Sequence, residues 1–361
     1  MDRTRTIAAF LILLLLLALA LCACSANTSA PTPLPEPAAP AAEAPPIATA
    51  EPAGAEVSEP AIVEFVAGEN DIIINPGSEW ELEGILTLPE GEGPFPAVII
   101  VPHSGPASKD EYRDLTAILA KQGLAGIRYD NRMFTYIEIE KDINSTLKEE
   151  YIDDALSTVA YAKTIKNIDP EMIFVLGHSI GGFLIPKIHE ADEENAIAGF
   201  VSLAGSALPM IEQYVLGDVE IDPSIDSEIS EEWREVENKV RLKAYEDVKN
   251  LTEADRRKRL VLLGQFPAWW LYLADYDPAE SAKKIDKPIL FMQGSHDEVF
   301  LPNHMDMWKK ATQNNPKAAY KIYPGLDHFF IKTEKLGGKR IGSSIEEEVV
   351  IDIADFIKSQ Y

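Results

Sequence analysis

Met172-Ile173-Phe174-Val175-Leu176-Gly177-His178-Ser179-Ile180-Gly181 is the stretch around which the rest of the chain is organised. Its first five residues form a continuous apolar run of strand length, and the residues from Ile180 onward read as a helix. A serine at such a strand-to-helix turn is presented at the carboxyl edge of a sheet. The Gly-x-Ser-x-Gly spacing removes the two Cβ atoms that would strike the neighbouring strand and helix. A serine hydroxyl is a poor nucleophile until a base takes its proton, so Ser179 is a candidate nucleophile that needs partners elsewhere in the chain. The Ile180 N–H, at a helix amino terminus, is a candidate donor to an oxyanion. The plainer reading is a serine that merely caps a helix. Pro186 lies inside this helix and predicts a kink.

Outward from the turn, strands and helices alternate. Ile62–Phe65, Asp71–Ile74 and Glu81–Leu88 read as short strands separated by Gly, Asn and Pro, an antiparallel lead-in to a sheet. Pro96–Val101 is a buried strand, followed by a helix over Asp110–Gln122 that Gly123 terminates. Leu124–Tyr129, Met172–Leu176, Ala196–Leu203, Pro288–Met292 and Ala318–Tyr323 are further strands, with helices over Glu149–Lys166 and Ser344–Lys358. The alternation predicts an α/β fold with a mostly parallel central sheet flanked by helices on both faces. Residues 207–285 interrupt the rhythm and read as a helical cap insertion, with a charged helix over Ser230–Val248. Its aromatic cluster includes Phe266, Trp269, Trp270, Tyr272 and Tyr276. Trp269, Trp270 and Tyr272 are candidates for a substrate pocket, the alternative being that they pack the insertion onto the body.

A base and an orienting acid should follow later strands, in the order serine, acid, histidine. After Pro288–Met292 comes Gln293-Gly294-Ser295-His296-Asp297-Glu298, and after Ala318–Tyr323 comes Pro324-Gly325-Leu326-Asp327-His328. Asp297 is therefore the candidate acid and His328 the candidate base, with Glu298 and Asp327 as rival acids. Of the other histidines, His178 reads as a packing neighbour of the serine and His189 as a helix surface residue. His296 and His304 are near Asp297 but follow no later strand. The loop Pro102-His103-Ser104-Gly105-Pro106 should supply the second oxyanion donor, the amide of either His103 or Ser104. No metal-ligand spacing such as HExxH occurs, and no cofactor is expected.

The chain has 361 residues, enough for a sizeable core, and a formal charge of −26, which disfavours nucleic acid as a partner. Both cysteines, Cys22 and Cys24, lie near the start, so the body has no thiol chemistry. Arg3 and Arg5 precede an apolar run over Ile7–Leu21, the layout of a secretory signal. Leu21-Cys22-Ala23-Cys24 resembles the lipobox of bacterial lipoproteins, which implies removal of residues 1–23 and lipidation of Cys24; the alternative is an uncleaved anchor. Residues 24–60 carry Ala, Pro, Glu and Thr, with nine of the 25 prolines, and read as a spacer. At roughly 3.1 Å per residue it reaches up to about 100 Å. Residues 61–361 form the remaining domain, expected outside the cytoplasm on the outer face of a cell membrane.

This body resembles the α/β-hydrolases, and more narrowly the bacterial carboxylesterases of the EstD-like group. The likeness rests on Leu86-Thr87-Leu88-Pro89, Gly93-Pro94-Phe95-Pro96-Ala97, Ser104-Gly105-Pro106 and Arg128-Tyr129-Asp130-Asn131-Arg132. It continues through the Ser179 turn, Tyr276-Asp277-Pro278-Ala279-Glu280, Tyr323-Pro324-Gly325 and Asp327-His328. The family reads His-Gly-Ser-Gly-Pro where this chain has Pro102-His103-Ser104-Gly105-Pro106, which leaves open the amide that completes the oxyanion site. The resemblance implies hydrolysis of small-molecule acyl esters through an acyl-serine intermediate, without metal or organic cofactor. Two alternatives remain: a serine peptidase of the prolyl oligopeptidase type, and a non-catalytic envelope binding protein on the same fold.

Overall fold

The computed structural model describes residues 63–136, 138–139, 142–216, 231–300 and 303–361. The signal segment, Cys24, the 24–60 spacer and the middle of the insertion lie outside the described residues.

Strands β1 (Gly68–Ile74) and β2 (Leu82–Leu88) form the antiparallel lead-in. They are followed by β3 (Phe95–Val101), α1 (Arg113–Lys121), β4 (Ala125–Tyr129), α2 (Asp153–Ala162), β5 (Ile168–His178), α3 (Ile180–Ala191) and β6 (Gly199–Leu203). The insertion contributes α4 (Met210–Leu216), α5 (Glu231–Lys249), α6 (Pro267–Tyr272) and α7 (Pro278–Ala282). The chain then returns through β7 (Ile289–Gly294), α8 (His304–Ala311), β8 (Ala318–Tyr323) and α9 (Glu347–Lys358). One sheet runs in the order β1-β2-β4-β3-β5-β6-β7-β8, and every neighbouring pair from β4 to β8 is parallel.

Period-two alternation decides which face each side chain serves. In β3, Ala97, Ile99 and Val101 join one core with residues of α2, α3 and the insertion. Val98 and Ile100 join the other core with Leu115 and Leu119 of α1 and Val349, Val350, Ile353 and Ile357 of α9. A strand buried on both faces is apolar at nearly every position, which is why Pro96–Val101 reads as an unbroken run.

Several expected boundaries move. The strand expected at Ile62–Phe65 is reduced to one bridge between Val63 and Ile165, because the Phe65 N–H is taken by the Asn167 side chain instead of a ladder partner. The Asp110–Gln122 helix starts with a 3₁₀ turn over Lys109–Tyr112, capped by Ser108. The Glu149–Lys166 helix begins as a π turn over Lys148–Ile152 and stops at Ala162. Pro186 does not interrupt α3. The hydrogen bond that its missing N–H would have given to the Gly182 carbonyl is supplied by the Ser202 hydroxyl, at 3.2 Å.

Candidate active site

Ser179 has φ 57°, a left-handed conformation that non-glycine residues rarely adopt. It is imposed by the turn between β5 and α3, where a Cβ on Gly177 would stand 2.2 Å from the Gly181 carbonyl oxygen. One on Gly181 would meet the Val101 carbonyl oxygen of β3 at 2.4 Å. The two glycines thus let strand, turn and helix close on one another, and the serine hydroxyl is carried to the carboxyl edge of the sheet.

At that edge the Ser179 Oγ lies 2.9 Å from His328 Nε2. On the other side of the ring, His328 Nδ1 is 2.9 Å and 3.0 Å from the two carboxylate oxygens of Asp297. Asp297 is fully buried and also accepts from the Gln293 side-chain amide at 2.5 Å and from the Val299 and Phe300 amides. The rings of Phe300 and Phe329 stand edge-on to His328. A serine, an imidazole and a buried carboxylate in this sequence can pass the serine proton to the ring and hold the resulting positive charge.

The rival acids are placed otherwise. Glu298 is exposed. Asp327 accepts from the Phe329 and Ile331 amides and from Arg340 Nε, so its carboxylate holds its own loop. His296 is bound to Thr333. His304 is buried, and its Nδ1 accepts the Ala207 N–H at 3.0 Å; burial pushes its pKa down to about 4. His189 differs from the surface residue expected: it is partly buried and packs edge-on against Phe200.

One group escaped the sequence reading. Tyr112 Oη accepts the His103 N–H at 3.1 Å and lies 3.0 Å from His178 Nδ1, while His178 Nε2 is 2.9 Å from the His328 carbonyl oxygen. A carbonyl can only accept, so the His178 proton resides on Nε2, and Nδ1 accepts from the tyrosine hydroxyl. Burial, with the His328 ring beside it, holds His178 well below the ordinary imidazole pKa and keeps it in this neutral form. Burial likewise raises the Tyr112 phenol, which stays protonated. Two side chains therefore tie the 102–106 loop, the serine turn and the His328 loop together. The same contacts bear on the oxyanion donors, because the His103 amide is spent on Tyr112. The Ser104 amide has no partner among the described residues, and the Ile180 amide is one of the orphan donors at a helix amino terminus.

The Arg128–Arg132 segment braces the same loop. Asn131 Nδ2 donates to the Gly105 carbonyl, its Oδ1 accepts from the Ala107 amide, and Asp130 accepts from the Lys109 amide. Below it Arg132 pairs with buried Asp154 at 2.6 Å, and burial outweighs the guanidinium, lifting the Asp154 carboxyl to about 7.

The pocket candidates sit in the insertion. Trp269 and Trp270 are buried, cross at 75°, and the Trp270 indole donates to the Leu262 carbonyl. Tyr272 is partly buried, with the Lys187 ammonium over its ring. The contacts of the two tryptophans are those of side chains packing the insertion onto the core shared with α3.

The family described as serine aminopeptidase, S33, matches residues 93–335. The chain belongs to this family. Among curated proteins, Esterase EstD of Thermotoga maritima is 29% identical over 279 residues, covering 74% of this chain and 61% of that protein. The chain thus spans less than two thirds of this relative's length. Among solved structures, Est1E from Butyrivibrio proteoclasticus aligns with a TM-score of 0.52 at 18% identity, over 80% of this chain and 98% of that one. EstE1, a thermophilic carboxylesterase cloned from a metagenomic library, gives 0.54 at 15% identity, over 83% and 91%. At these identities the structural likeness speaks for the α/β-hydrolase fold, the architecture expected from the sequence.

Proposed function

We propose that the protein is a serine carboxylesterase, tethered outside the cytoplasm through lipidated Cys24, that hydrolyses small-molecule acyl esters. The observation that carries this reading is the unbroken contact from Ser179 Oγ through His328 to buried Asp297. In this mechanism His328 Nε2 takes the Ser179 proton as Oγ attacks the ester carbonyl, and Asp297 holds the ring and stabilises the imidazolium. The Ile180 and Ser104 amides stabilise the oxyanion, each worth about 10²–10³ in rate. His328 returns the proton to the leaving alcohol, giving an acyl-serine. Water then attacks with the same residue as base, releasing the acid and restoring Ser179.

The likeness to a protein named an esterase supports the ester as substrate. The family description favours a second reading, an aminopeptidase using the same three residues. The deciding experiment compares the full chain and Ser179→Ala on aryl esters of increasing acyl length and on aminoacyl anilides. Ester turnover exceeding anilide turnover, with the variant at least about 10³-fold slower, is expected. Equal rates for both proteins would overturn the catalytic assignment, and preferential anilide cleavage would favour the peptidase. Cys24→Ser should release the chain from membranes.

A further inference from the structure

Arg256-Arg257-Lys258-Arg259 is the only run of more than two consecutive cations in a chain whose formal charge is −26. It lies in the insertion, after the 3₁₀ turn Glu253–Asp255, and leads directly into Leu260 and Val261. Half of its charge is already used. Glu253 holds the Arg256 guanidinium at 2.5 and 2.7 Å, Asp255 holds Lys258 at 2.5 Å, and Glu149 adds its field at Arg256. Arg257 and Arg259 have no ion-pair partner among the described residues, and both are exposed. Leu260 and Val261 are exposed by 43% and 56%, whereas the next residue, Leu262, is buried and fixed by the Trp270 indole. The segment is therefore anchored at both ends, and between the anchors it presents two spare guanidinium groups beside two aliphatic side chains.

We propose that residues 256–261 are a docking surface for an anionic lipid bilayer. A guanidinium matches phosphate oxygens in two-point geometry. A bilayer places a plane of phosphate directly above an apolar layer, so the arginines meet headgroups while Leu260 and Val261 enter the boundary beneath. An acidic polypeptide would satisfy the arginines and leave the aliphatic pair in water. The remaining surface, with its excess of carboxylates, is repelled by anionic lipid, so the contact also orients the body. The inference rests on the anchoring reading above for proximity to the membrane.

To test it, Val261→Cys in the full chain is reacted with an environment-sensitive fluorophore, and the signal of the parent chain treated identically is subtracted. Cys22 and Cys24 are the only native thiols, so the difference reports position 261. The chains are mixed with vesicles of phosphatidylcholine alone or of phosphatidylcholine with phosphatidylglycerol. A blue shift confined to the anionic vesicles is expected, reversed by salt, with Arg257→Glu/Arg259→Glu lowering the docked fraction roughly tenfold. That double variant should turn over a soluble aryl ester as the parent does, which verifies its fold. Equal shifts in both lipids, or none in either, would overturn the proposal. So would a shift that grows with protein concentration without vesicles, which marks a second copy, or one produced by polyglutamate, which marks an acidic polypeptide. Failure of the anchoring reading is distinguished by co-sedimentation with neutral vesicles that Cys24→Ser leaves unchanged.

Discussion

Tyr112 makes no hydrogen bond to the side chains of Ser179, His328 or Asp297, yet its hydroxyl joins the His103 amide to the imidazole that holds the His328 carbonyl. Replacing it with phenylalanine leaves a partly buried amide and a buried ring nitrogen unpaired and loosens two of the three loops that form the site. For Tyr112→Phe we expect kcat to fall by about ten- to a hundredfold with KM changed about twofold or less, measured by steady-state hydrolysis of an aryl ester. A rise in KM alone would mean that the tyrosine serves ground-state binding instead. The contrast with Ser179, Asp297 and His328 explains what the sequence reveals. Each of those three follows the end of an apolar strand run, so a linear pattern marks it. Tyr112 lies in a 3₁₀ turn, and its partners are 9 and 66 positions away, linked only by the fold. The Arg132–Asp154 pair is hidden for the same reason. The tryptophans of the insertion are ambiguous in sequence because an aromatic side chain suits a pocket and a core equally well; in the structure both are buried within a core cluster.

Element-scale departures from expectation have equally local causes. A proline inside a helix breaks one backbone bond, and α3 continues through Pro186 with a hydroxyl from β6 reaching the carbonyl that the proline leaves vacant. Ser202→Ala should therefore cost about 1–3 kcal/mol in chemical denaturation, and much less in a Pro186→Ala background, where the backbone supplies the bond itself. Equal costs in both backgrounds would separate the serine from the proline. A second clasp, from α8 to the root of the insertion, is sensitive to acid. His304 Nδ1 accepts the Ala207 amide, and in the folded protein its pKa is about 4, below the ordinary 6.5. The unfolded chain takes up this proton first, so stability falls as pH drops from 6.5 towards 4, by up to about 1.4 kcal/mol per unit from this one group. His178, also held low, contributes in the same direction, whereas Asp154, held up near 7, runs the other way. The informative quantity is thus the difference from His304→Gln, which keeps an acceptor for Ala207 and should flatten the slope. An unchanged slope in urea titrations across this range would refute the assignment.

For the whole molecule, the strand order was legible only in part. Apolar runs and their alternation with helices revealed a mostly parallel sheet, but the placement of β4 between β2 and β3 depends on crossovers that no residue pattern records. The excess of carboxylates also acts at this scale. A formal charge of −26 repels itself in the folded state, so screening should stabilise the protein. Tm is expected to rise by a few degrees as sodium chloride increases from about 10 mM to about 0.5 M, where the Debye length shrinks from about 30 Å to under 5 Å. A falling Tm would show that the surface ion pairs outweigh the repulsion. The sheet order also bears on time. A chain is made from its amino terminus, so β5 and the turn bearing Ser179 exist well before β8, which among the described residues pairs only with β7 and precedes the loop that carries His328. Until that last strand is seated, Ser179 lacks its His328 contact, and under the proposed mechanism a nascent or prematurely cut chain carries the hydroxyl without a base to activate it.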